Sequence, residues 1–165
     1  MEIKEMPPEE KFDRLLDDYL LSIITSYALH KELGVVNKCL DLSIKVNKKM
    51  LPRFLGPVFK LLKVLSSGRT FKQVINQAMY IFQEIEPLSN LELSWVSDRE
   101  AVMRVKNCKR LRRTGELVNK TGLNVDPKEL CEIECQNLKG ISEEFGIDVT
   151  WELEENGCRI TGKLK

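Results

Sequence analysis

The residues of this chain best equipped for chemistry are its cysteines. Four of the five, Cys108, Cys131, Cys135 and Cys158, lie from residue 108 onward, with Cys39 set apart in the first half. A thiolate is both a nucleophile and a soft metal ligand, so thiols gathered from separate elements can hold a metal or run redox chemistry. Cys131 and Cys135 are four residues apart on a segment of helical periodicity, which stacks them one above the other. Cys158 directly follows Asn156-Gly157. In a reducing compartment, five cysteines point to metal binding or redox chemistry more than to a disulfide framework, and the odd number agrees. The plainer alternative is that they fill space, as small buried hydrophobes.

Those thiols need elements to position them. Pro7 and Pro8 open a helix whose Phe12, Leu15, Leu16, Tyr19, Leu20, Ile23, Ile24 and Tyr27 follow the helical period, and Gly34 ends it. A second helix is predicted over 36–51, stopping at Pro52, and a third over 54–65. A fourth starts at Thr70, where Gln73 completes a capping box, and closes at Pro87. At Leu91 the period changes to two. Leu91, Leu93 and Trp95 alternate with Glu92 and Ser94, residues 97–100 turn, and Ala101, Met103 and Val105 return. A basic helix over 109–120 follows, then one opened by Asp126, Pro127 and Glu129 and ended at Gly146. Residues 149–155 and 158–164 form a last hairpin about Asn156-Gly157.

Two isolated strands are marginal in water, so both hairpins are expected to join one antiparallel sheet with helices packed on one face. The fold class is α+β: one domain over 1–165, with a helical part at 1–88 and a cysteine-bearing part at 91–165. A two-residue loop at Asn156-Gly157 would pair Glu155 with Cys158, Leu153 with Ile160, Trp151 with Gly162 and Val149 with Leu164. That register puts a carboxylate across from a thiol, both toward the core. Leu130, Ile133, Leu138, Ile141 and Phe145 define the buried stripe of the preceding helix, with Cys131 and Cys135 at its margin. Cys108 joins the group only if the ladder ends near Lys106 and the chain turns inward.

Net charge is +1 and 42% of residues are hydrophobic, so the composition gives no reason to expect a nucleic-acid or membrane partner. The start, MEIKEMPPEEKFDR, lacks an apolar leader core, and the apolar stretch at 19–27 is too short to span a bilayer. A cytoplasmic protein is expected. His30 is the single histidine, which excludes histidine triads and paired-histidine sites. Arg104, Lys106, Lys109, Arg110, Arg112 and Arg113 form a basic run that reads as a solvated helix face, since no aromatic interleaves for base stacking. The first helix carries more apolar residues than one face needs, which predicts a homodimer through Phe12, Leu16, Tyr19, Leu20 and Ile23.

The segments Arg104-Val-Lys-Asn-Cys108, Glu129-Leu-Cys131-Glu-Ile-Glu-Cys135 and Glu155-Asn-Gly-Cys158-Arg-Ile resemble the cysteine framework of the 4-vinyl-reductase-type small-molecule-binding domains, in their archaeal and methanogen branch. The resemblance covers about residues 91–165. It implies a dimeric sensory domain with a small hydrophobic or aromatic ligand. It also implies a metal, zinc before an iron–sulfur cluster, held by Cys135, Glu155 and Cys158 with Cys131 and Cys108 as further thiolates. The last hairpin departs from that pattern in its short Asn156-Gly157 loop. Two alternatives remain beside it: a metal- or iron–sulfur-dependent reductase or hydrolase using the same cysteines, and a homodimeric interaction module whose thiols are structural.

Overall fold

The computed structural model describes residues 7–64, 71–76, 79 and 90–165. Helix α1 (Pro8–Glu32) starts on a proline, whose missing N–H is no loss in a first turn. It ends at Gly34, which takes the left-handed φ of 65° while Val35 N–H closes back on the His30 carbonyl. Helix α2 (Val36–Val64) runs on through Pro52 and Pro57 as one helix of 29 residues, where two had been expected. An interior proline costs about 3 kcal/mol. The apolar period nevertheless continues in the sequence on both sides of Pro52, and that repeat prevails over the local break signal. A helical stretch at 71–76 (α3) matches the start of the expected fourth helix. Its closure at Pro87 lies outside the described residues.

The first hairpin pairs β1 (Asn90–Ser97) with β2 (Glu100–Lys106), and the second pairs β3 (Ile147–Glu154) with β4 (Gly157–Leu164). Between them lie α4 (Lys109–Thr121), α5 (Pro127–Ser142) and a 3-10 turn at Glu143–Phe145. Strands β2 and β4 join the hairpins into one antiparallel sheet of order β1-β2-β4-β3. The α+β architecture is therefore as expected.

One face of that sheet is covered. Ala101, Ile147 and Val149 form a core with Phe71, and Leu138, Phe145, Trp151 and Ile160 pack around it. Trp151 is tied to α5 by its ring N–H, which donates to Glu132 at 2.8 Å. A second core lies on the far side of α5. There Leu20 and Ile24 of α1, both almost fully buried, meet Leu117, Val118, Val125 and Leu130. Helix α5 thus lies between the sheet and α2, with α4 beside it and α1 packed on α4. Helix α2 reaches α5 closely because Gly140 has no side chain: a Cβ there would sit 2.9 Å from two carbons of Ile44.

The last hairpin keeps the predicted faces but not the predicted register. Leu153 pairs with Cys158, Trp151 with Ile160, Val149 with Gly162 and Ile147 with Leu164. The loop is Glu155-Asn156, one residue earlier than expected, so Glu155 leaves the ladder. The reason is Gly157. It serves a close approach rather than a left-handed turn, because a Cβ on it would lie 1.9 Å from the Val105 carbonyl oxygen of β2. Cys108 N–H donates to the Asn156 carbonyl and fastens this turn to the end of the first hairpin.

Candidate functional site

Four of the cysteines do converge. The β2 ladder ends at Lys106, and Asn107 takes a positive φ of 51° that swings the chain inward. Cys108 then caps α4, its sulfur accepting from Leu111 N–H at 3.4 Å. Cys131 and Cys135 come from α5, and Cys158 faces them from β4, paired with Val105 and Leu153. Cys135 is buried, not marginal as its place on the predicted stripe suggested. With Leu91, Met103, Val105 and Ile160 as floor, these thiols line a cavity of about 150 Å³. The Arg110–Glu134 ion pair stands at its rim.

Two properties limit what this cavity can do. It is smaller than the ~300–1,000 Å³ usual for small-ligand pockets. Burial, reinforced by the neighbouring thiols, also pushes Cys131 and Cys135 up to about 12, so their protons stay on at neutral pH. A protonated thiol is a poor nucleophile. Glu155 does not line this cavity. It borders a separate groove of about 400 Å³ with Arg112, Asp126, Lys128 and Asn156, and only Cys108 touches both. Among the described residues, no group of three or more His, Cys, Asp or Glu side chains is arranged to hold a metal ion. Of the expected ligands Cys108, Cys131, Cys135, Cys158 and Glu155, the four thiols therefore come together on one apolar cavity, and the register shift sets Glu155 apart from them in the turn.

Half of the basic run is reassigned, while Arg104, Lys106 and Arg112 stay on the solvated surface. Lys109 pairs with Asp13 at 2.7 Å, Arg113 with Asp17 through two contacts of 2.5 Å, and Arg110 with Glu134. These are seams between α4 and its neighbours α1 and α5. The Arg113 hydrogen bond holds Asp17 below the usual carboxylate range, and Lys31 does the same for Glu129, which also accepts from Tyr27. Sequence spacing could not reveal such pairs, since their members stand up to 102 residues apart.

The second candidate surface lies on the outer helical layer. Along α1, Phe12, Leu15, Tyr19, Ser22, Ser26, Leu29 and Leu33 follow one another by three and four residues in alternation, and all seven are exposed. Leu15 is 68% exposed and Leu33, at the helix end, 63%. On α2, Leu42 and Val46 are exposed in the same manner, 61% and 49%. Lys109 and Arg110 of α4 lie over the rings of Phe12 and Tyr19 at 5.9 and 5.8 Å, supporting one edge of the stripe. The sequence signal was the excess of apolar residues on α1. It did not separate the two faces, for Leu20 is buried and Leu16 and Ile23 pack against the core.

No family model matches the chain, and no curated protein matches it. Among solved structures, the chain is similar to a trafficking protein particle complex subunit 3 from Naegleria fowleri, covalently bound to palmitic acid. Identity is 16%, the alignment covers 92% of this chain and 96% of that one, and the TM-score is 0.48. The resemblance to 4-vinyl-reductase-type domains, and the metal-bearing sensory function it implied, are not upheld: no family model matches the chain. No helix among the described residues is long and apolar enough to cross a membrane.

Proposed function

We propose that this protein is an association module whose working surface is the outer face of α1, extended by that of α2. The observation that carries the reading is the stripe on α1, five of whose seven positions offer apolar side chains to solvent at the spacing by which helices pack on helices. Burying a single leucine of this stripe is worth about 1.5–3 kcal/mol, whereas leaving it in water gains nothing. The thiol cavity serves as packing between α5 and the sheet, its protonated sulfurs acting as small apolar groups.

Light scattering behind a sizing column tests the reading. The native chain should elute as an assembly, and Leu15→Glu with Leu29→Glu should elute as a monomer that melts at nearly the native temperature. A native chain that is monomeric at every concentration speaks against the reading. So does a double variant that unfolds, because the stripe would then belong to the fold.

A further inference from the structure

We infer that the thiol cluster is a redox site entered through Cys108, where a small disulfide carrying carboxylates exchanges to leave a Cys108–Cys131 bond. The inference goes beyond association and starts from one position. Among the described residues, Cys108 alone lines both the inner cavity of about 150 Å³ and the outer groove of about 400 Å³. The groove falls in the size range of small-ligand pockets. Its walls carry Arg112 and Lys128, which suit carboxylates, and Glu155, which suits an ammonium group. Asp126, the other charged wall residue, is engaged as the cap that accepts from Lys128 N–H at 2.8 Å. This mixture of charges fits an oxidised peptide thiol of the glutathione kind.

Position decides which thiol attacks first. Cys108 stands at the N-terminus of α4, its sulfur accepting from Leu111 N–H at 3.4 Å, and the first turn holds Lys109, Arg110 and Arg112 with no acid. A helix N-terminus with cations beside it is the setting from which cysteine sulfurs attack. Cys135 is buried, and Cys158 is held in the ladder between Val105 and Leu153. Cys131 is the natural second thiol. It is only partly buried, and after burial itself the charge of Cys108 hinders its ionisation most, which marks the two as neighbours.

The exchange balances in two steps. Cys108 releases its proton to solvent and its sulfur attacks the reagent, whose own disulfide breaks as one reagent thiol leaves with a proton. The Cys131 sulfur then attacks Cys108 Sγ, the mixed disulfide breaks, and the second reagent thiol leaves with the Cys131 proton. Two protein thiols are oxidised and one reagent disulfide is reduced. Because burial keeps the proton on Cys131 at neutral pH, the second step is the slower one and the mixed disulfide accumulates.

Mass spectrometry with peptide mapping tests this on the full chain carrying Cys39→Ser, so that every remaining thiol belongs to the cluster. Glutathione disulfide at neutral pH should first give one adduct, on Cys108, which then gives way to a Cys108–Cys131 bond. Cys131→Ser should keep the adduct and form no internal bond. Cys108→Ser retains a helix cap and should react roughly tenfold more slowly. Arg112→Ala with Lys128→Ala, both exposed, should slow glutathione disulfide roughly tenfold and leave the uncharged hydroxyethyl disulfide unaffected. A first adduct on another cysteine, or a Cys108→Ser chain that reacts at the native rate, would overturn entry through Cys108. An internal bond between Cys135 and Cys158 alone would overturn the pairing, and equal rates of both reagents with the groove variant and the native chain would overturn the part given to the groove.

Discussion

The molecule turns two broad surfaces outward, and they are built on opposite plans. The outer face of the sheet is a lattice of charge: Lys106 pairs with Glu92 at 2.6 Å, Arg104 with Glu154 at 2.8 Å, and Arg159 stands across from Glu152. Leucines and aromatic residues occupy the outer face of α1 instead. Both faces are open, yet only one has the chemistry of a surface meant for water. A face that must stay wet uses alternation and cross-strand ion pairs, each worth little but together solvating the sheet and guarding it against edge-to-edge contact. A face that sets Phe12, Leu15, Tyr19, Leu29 and Leu33 in water has an unmet demand for a partner.

The comparison breaks first, and most visibly, on the helical side. Replacing Leu15 and Leu29 by glutamate should weaken association by roughly 100-fold or more, since four buried leucines are lost per pair. Sedimentation equilibrium measures it. Reversing Arg104 and Glu154 on the sheet face should leave association unchanged. Equal loss from both pairs of substitutions would erase the distinction between the faces.

Next in size is Gly140→Ala, which pushes a methyl into Ile44 and should cost about 1–3 kcal/mol by urea unfolding while loosening α2 from α5. Were this variant as stable as the native chain, α2 would not be seated as described, and the outer layer would be less rigid than an association face requires.

The thiol cavity predicts an alkaline limit. Cys131 and Cys135 ionise at about 12 when folded against an ordinary 9.0, so the unfolded chain loses these protons first. Their contribution is fully present below pH 9 and is lost as the pH climbs toward 12. Replacing both by alanine should flatten the fall in melting temperature over that window. At pH 8, the native thiols should react with a thiol reagent far more slowly than the same thiols in denaturant. An equal rate would mean that the cavity is open and the cysteines are active.

The seam between α1 and α4 predicts a smaller acid effect. Asp17 is depressed below its ordinary 3.8 by Arg113, so its contribution is present above that value and lost as pH falls through the lower folded value. Asp17→Asn should remove part of the acid slope in unfolding experiments. The slightest effect belongs to the sheet face, where Arg104→Ala should leave the urea midpoint almost where it was, and less changed still in high salt.

How far the sequence could be read varied with the distance over which each feature is decided. Alternation in Leu91, Leu93 and Trp95 and in Val149, Trp151 and Leu153 named the buried sheet face, because a strand has only two faces to choose between. The hairpin register escaped, because Gly157 answers to Val105, 52 residues away, and not to its own turn. The convergence of Cys108 with the other thiols was conditional on an inward turn, which Asn107 supplies. The ion-pair seams depend on residues brought together from far apart in the chain, which no local rule weighs. Excess apolar residues on α1 were visible, but only packing could say that Leu20 and Ile24 face in while Leu15 and Leu29 face out.

The central claim, that the outer face of α1 is buried in the working state, is tested most directly by melting the native chain across a wide range of protein concentration. Burial of the stripe between copies couples folding to association, so the melting temperature should rise with concentration in the native chain and stay flat in Leu15→Glu with Leu29→Glu. A melting temperature independent of concentration in the native chain would contradict the account.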